Sequence, residues 1–131
     1  MEILLGILIE WLSFNTDVDI KYPPEVVVMS TEDLAQKYGA PVHALYSHTE
    51  ATIYLSSHVD LSTIQGASVL LHELVHHYQN ASGAMDGYNC VQESEKLAYE
   101  LQVAYLQQNN AKLMPELNQF NIVMRSICST Y

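Results

Sequence analysis

After Glu2, the first fourteen residues are almost continuously apolar, carrying Ile3, Leu4, Leu5, Ile7, Leu8, Ile9, Trp11, Leu12 and Phe14. A helical period puts Leu4, Leu8, Trp11 and Leu12 on one face with Ile7 and Phe14 beside them, predicting an N-terminal helix with a wide buried side. The run between Glu2 and Glu10 is far shorter than the roughly 20 apolar residues of a membrane span. Its acidic flank and the lack of a small-residue cleavage site argue against a secretory signal. Residues 15–24 read as a connector that Tyr22-Pro23-Pro24 holds extended. Three consecutive valines then predict a short buried strand over residues 25–29. Ser30 is expected to cap a short helix with Asp33 at its third position, and Gly39 and Pro41 close that helix after Tyr38.

Residues 42–47 and 51–56 predict two strands joined at His48-Thr49-Glu50. The second alternates Ile53 and Leu55 with Thr52, Tyr54 and Ser56, one face buried and one wet, a pattern that suits a sheet edge. Beyond a polar connector over 57–65, a helix opening at Gln65 or Gly66 carries the core stripe Ala67, Leu70, Leu71, Leu74, Val75 and Tyr78. Residues 81–89 read as a loop. A long helix is expected over 91–109 with Leu97, Ala98, Leu101, Ala104 and Tyr105 inward, and a last helix from Pro115 to about Cys128. Together these elements predict one compact α+β domain over residues 1–131, with a short mixed sheet, a central helix and flanking N- and C-terminal helices.

Composition narrows the possible partners. The chain's 131 residues can bury one modest core, and nearly half are apolar. Fifteen acidic residues against five basic ones give a net charge of -10 with no basic run, which excludes a nucleic-acid footprint. An acidic rim would favour basic or uncharged peptides over acidic ones. Cys90 and Cys128 do not form a CxxC pair. Either they bridge the helix near Cys90 to the C-terminal segment, as in a secreted or periplasmic protein, or they are unlinked thiols in a cytoplasmic one.

The chemistry is concentrated in His72-Glu73-Leu74-Val75-His76. On a helix the two imidazoles lie one turn apart on the same face, close enough to bind a single metal ion, with Zn2+ the natural candidate. Glu73 lies at the edge of that face, where a carboxylate can take a proton from water without being a ligand. Four downstream acids can supply a third ligand: Asp86, Glu93, Glu95 and Glu100. Asp86 sits in a glycine-rich loop, and Glu93 shares a solvated face with Lys96 and Glu100. Glu95 shares its face with Ala98, Tyr99 and Gln102, where a small residue admits a neighbouring helix and polar groups can orient ligands. We therefore select His72, His76 and Glu95. Three protein ligands leave a fourth tetrahedral position for water, the arrangement of a catalytic zinc site.

These segments, His72-Glu73-Leu74-Val75-His76 followed by Glu95-Lys96-Leu97-Ala98-Tyr99, resemble the gluzincin metallopeptidases, and the small size resembles the single-domain minigluzincins. The resemblance covers about residues 51–107. It implies a zincin-like domain, zinc binding by His72, His76 and Glu95, and general-base work by Glu73 in peptide hydrolysis. Thermolysin-like relatives carry an aspartate four positions after the glutamate ligand to orient the first histidine; Tyr99 stands there, and Gln102 is another candidate for that work. Their oxyanion-binding residue comes from a second subdomain, leaving Tyr88 or His77 for the role. Metzincins are set aside because Gln79 and Ser82 occupy the positions where they need glycine and histidine.

The expected function is a zinc metallopeptidase cutting peptides paired with the 52–56 strand. Its cleft would be shallow and its activity weak or latent, with the N-terminal helix or the C-terminal tail as a plug. The alternative is a catalytically inactive zinc-containing binding module. A third reading makes Leu4, Leu8 and Trp11 a membrane-surface anchor. His43, His48 and His58 are expected to be ordinary loop or surface residues, with His58 able to approach the cleft from an edge strand.

Overall fold

A computed structural model of the chain describes residues 1–128. Its order is α1 (Glu2–Asn15), β1 (Glu25–Met29), α2 (Thr31–Tyr38), β2 (Ala44–Ser47), β3 (Thr52–Ser56), α3 (Ile64–Ala81), α4 (Glu95–Gln108) and α5 (Gln119–Arg125), an α+β fold with a mixed sheet. The sheet order is β1-β3-β2, with β1 parallel and β2 antiparallel to β3. β3 is therefore the centre of the sheet and not its edge. Alternation of polar and apolar residues cannot separate the two cases here, because Thr52 and Ser56 are buried with their hydroxyls satisfied. Thr52 donates to the Glu50 carbonyl at 3.0 Å, and Ser56 shares a 2.6 Å hydrogen bond with Thr31.

β1 and β2 are the outer strands, and β2 carries the edge on the cleft side. Ser56 donates its N–H to the His43 carbonyl, so by the alternation of an antiparallel ladder the N–H and C=O of Ala44 and Tyr46 point away from β3. That edge borders the cleft described below.

α3 packs against β2, β3 and α4 and is buried on nearly every side from Gly66 to His77. Leu70, Leu71, Leu74 and Val75 are fully buried with Ile53 and Leu55 of the sheet. The helix starts at Ile64, slightly earlier than expected, because Thr63 caps it by accepting from the Gly66 N–H at 2.9 Å. Gly66 sits so close to the Asp60 carbonyl that a Cβ there would lie 1.8 Å from its oxygen. Only glycine lets the 57–63 connector press onto the helix at that point.

α1 buries Leu5, Leu8 and Leu12, with Leu4 and Trp11 half-buried, while Ile7 and Phe14 face outward. The helix is apolar on most sides, so periodicity alone does not select the buried face. Trp11 packs edge-on against Tyr105 of α4, and Leu8 is fully buried in the core beside it. No described helix is long and apolar enough to cross a membrane.

The two C-terminal helices differ from expectation at their starts. Val91–Ser94 is a 3₁₀ turn leading into α4, because the Ser94 hydroxyl turns back to the Val91 carbonyl at 2.6 Å. Pro115–Leu117 is a separate 3₁₀ turn, and Asn118 interrupts the segment by capping α5 through the Asn121 N–H at 2.9 Å. Cys90 and Cys128 are joined in a disulfide, which staples the chain just before α4 to the segment just after α5.

Candidate metal centre

His72 and His76 project from α3 toward the first turn of α4, where Glu95 meets them. The three ligand atoms lie within 4.8 Å of one another. His72 Nε2 is 3.2 Å from His76 Nε2 and 3.2 Å from Glu95 Oε1, and His76 Nε2 also contacts Glu95 Oε1. Donor atoms at ordinary zinc distances in a tetrahedral shell stand about 3.3 Å apart, so two of these separations suit that ion closely.

The hydrogen bonds behind the rings fix which nitrogen carries the proton. Gln79 donates its Nε2 to the Ser94 carbonyl at 3.0 Å and to the Tyr88 hydroxyl at 3.2 Å, so its Oε1 faces His76 Nδ1 at 2.9 Å. Ser68 donates to the Gln65 carbonyl and therefore accepts from Gln102 Nε2 at 3.2 Å, which turns Gln102 Oε1 toward His72 Nδ1 at 3.0 Å. Each glutamine oxygen can only accept, so both Nδ1 atoms carry hydrogen. Both neutral rings then aim an Nε2 lone pair at the Glu95 carboxylate. Three electron-rich atoms converging on one point require positive charge between them, from a proton or a metal ion.

Where protons supply that charge, burial works against ionising Glu95, but hydrogen bonds from the protonated His72 and His76 rings hold it far below the ordinary carboxylate range. Burial likewise works to lower His76, but its hydrogen bond to Glu95 and then the Glu73 and Glu95 charges outweigh it and raise the ring above its usual value.

Gln79 is a residue that sequence reasoning missed. It lies one turn past His76, is fully buried and makes three side-chain hydrogen bonds. A buried amide in the turn after the second histidine was the available signal. Replacing Gln79 by leucine keeps the volume and removes the acceptor that fixes the His76 tautomer. The expected result, read by competition with a chromogenic chelator, is zinc affinity weakened about ten- to a hundredfold.

Glu73 is almost fully buried, and no described group hydrogen-bonds its carboxylate. Burial pushes its pKa above the ordinary range against the pull of His72 and His76. It borders two hollows, of about 440 and 450 Å³, which share Val42, Ala44, His72 and Tyr99 and form one cleft along the β2 edge. A buried carboxylate with no hydrogen-bonding partner among the described residues, open to a cleft and beside a candidate metal cluster, is disposed for proton transfer.

The remaining candidates fall elsewhere. Asp86 is exposed, Glu100 pairs loosely with Lys96, and Glu93 accepts from the Asn89 N–H. His77 does not face the cleft. Its Nε2 donates to the Tyr22 carbonyl at 2.7 Å and its Nδ1 accepts from Tyr46 at 2.8 Å, which ties the 15–24 connector to α3. Tyr88 is held by Gln79 and lines neither hollow. Tyr99 stacks edge-on against His72 at 4.4 Å between centroids and does face the cleft. His58 is exposed and borders neither hollow, whereas His43 and His48 each line one. His48 is half-buried, and its Nε2 finds no partner among the described residues. Burial and the neighbouring His76 charge lower its pKa.

Met114, Leu117 and Arg125 of the C-terminal segment contribute to the wall of the cleft. α1 contributes nothing to either hollow and cannot plug them. The C-terminal tail, residues 129–131, lies outside the described residues.

Fold and site together define a small α+β domain whose two central helices gather two imidazoles and one carboxylate in metal-ligand geometry. The chain belongs to the family described as "Domain of unknown function (DUF6647)", whose model matches residues 1–131. No curated protein and no solved structure matches it.

Proposed function

We propose that the protein is a zinc-dependent metallopeptidase of the gluzincin type, with Zn2+ held by His72, His76 and Glu95 and Glu73 acting as general base. The observation that carries this reading is Glu73 itself, a buried carboxylate without a hydrogen-bonding partner among the described residues, bordering both halves of the cleft next to the His72, His76 and Glu95 cluster. The ion, when bound, supplies Lewis acidity to the attacking water and the scissile carbonyl. Glu73 accepts the water's proton and returns it to the leaving amine. Gln79 and Gln102 keep both Nε2 lone pairs free for the ion by occupying the Nδ1 hydrogens.

The substrate backbone pairs with the outward groups of Ala44 and Tyr46 on β2, since both edges of β3 are already taken. The Cys90–Cys128 disulfide supports an oxidising compartment, secreted or periplasmic. The test is hydrolysis of an unbiased peptide library by zinc-loaded, chelator-stripped and reloaded protein. Cleavage that is lost on stripping and returns on reloading supports the reading. A fully loaded protein that cuts nothing across pH 5–9 favours the zinc-containing binding module instead.

A further inference from the structure

Arg125 is the chain's single arginine, in a protein of net charge -10. It ends α5 and borders the hollow of about 440 Å³ that also holds His72 and Glu73. Its guanidinium donates to the Tyr99 hydroxyl at 3.1 Å and lies 5.7 Å from the centre of the Tyr99 ring. Lys37 and Lys96 have carboxylate partners, yet Arg125 makes no ion pair among the described residues, although Glu116 borders the same hollow. The disulfide three residues later anchors the end of α5 to the chain that leads into the Glu95 helix. A planar cation is thus held against an aromatic ring in the hollow that Glu73 also borders, with most of its donors uncommitted among the described residues.

The direction of β2 tells which part of a substrate would meet it. A peptide paired antiparallel to β2 runs from the Tyr46 and His48 end toward the Val42 and Ala44 end. The Arg125 hollow borders Pro41, Val42, His43 and Ala44, so it receives residues on the C-terminal side of the scissile bond. We propose that Arg125, steadied by Tyr99, forms a subsite for a substrate carboxylate on that side, making peptides with an anionic group just beyond the cleaved bond the preferred class. This rests on the peptidase reading and reverses the expectation, drawn from overall charge, that acidic peptides are disfavoured: Glu73 and Glu116 border the same hollow, but a guanidinium within hydrogen-bonding reach of the bound carboxylate outweighs charges farther from it. The carboxylate is either the peptide's own C-terminus or an acidic side chain.

Binding separates this subsite from catalysis. Acetylated tetrapeptides of alanine and leucine are titrated calorimetrically, in zinc-loaded and metal-free protein, in three forms: free C-terminal acid, C-terminal amide, and amide with one glutamate. The expected result is that at least one carboxylate form binds about tenfold more tightly than the plain amide. Arg125→Gln removes that advantage without changing amide binding or zinc content, and Tyr99→Phe, which keeps the ring but loses the hydroxyl, reduces it. Advantage confined to the free acid identifies the C-terminus as the group bound; advantage confined to the glutamate form identifies a side chain. The proposal is overturned if the three forms bind alike, or if the advantage survives in Arg125→Gln, which would place the carboxylate on the metal. An Arg125-dependent advantage in a protein that never cleaves peptides leaves the subsite standing and removes the peptidase reading. Cleavage with no such advantage does the reverse.

Discussion

Glu73→Gln is expected to retain one zinc ion per chain and to lower peptide hydrolysis by about 10²- to 10⁴-fold, the usual contribution of a positioned general base. Glutamine fills the same volume and cannot accept a proton at neutral pH. Glu73 is not among the three converging ligand atoms and makes no hydrogen bond to them, so metal content has no reason to fall. The substitution also removes a carboxyl that burial disfavours as an anion, so thermal stability should hold or rise slightly. The sign follows from the raised pKa: the ionised form is the one folding penalises, and the penalty grows as pH rises through the folded value. Equal turnover by wild type and variant, measured with a cleaved peptide at saturating zinc, would remove Glu73 from the mechanism.

Glu95→Ala carries the second large effect. Structural zinc sites bind with roughly 10–16 kcal/mol in total, so loss of one of three protein ligands should weaken affinity on the order of a thousandfold or more. Without the carboxylate, the two Nε2 atoms 3.2 Å apart lose the charge that holds a cation between them. His76 would also lose the interaction that raises its pKa. Chelator competition at pH 7.5 measures the first effect. Near-normal affinity in the variant would mean that another acid completes the site, with Glu93 and Asp86 the ones to test next.

The meeting of His72, His76 and Glu95 was readable because each rests on a local rule: two histidines one helical turn apart, and an acid whose face carries a small residue, Ala98, that admits the neighbouring helix. Packing bears this out, for Ala98 is fully buried where α4 meets α3. The three strands and the central helix were legible for the same reason. What stayed hidden depends on contacts distant in sequence. The exchange of centre and edge between β3 and β2 follows from β1 pairing across the chain, which no local alternation reports. The diversion of His77 to Tyr22 and Tyr46 crosses 55 and 31 positions. Arg125 reaches the cleft only because the C-terminal segment folds back against α4, so an arginine that looks like a helix-end charge in the sequence becomes a wall of the site.

The most direct measurement is the metal content of protein purified without chelators or affinity metals, by plasma mass spectrometry, joined to an X-ray absorption spectrum of the same sample. The account predicts one zinc per chain with two imidazole nitrogens and carboxylate oxygen in its shell. A protein that holds no divalent metal after dialysis against micromolar zinc, or one whose zinc carries sulfur ligands, would contradict it.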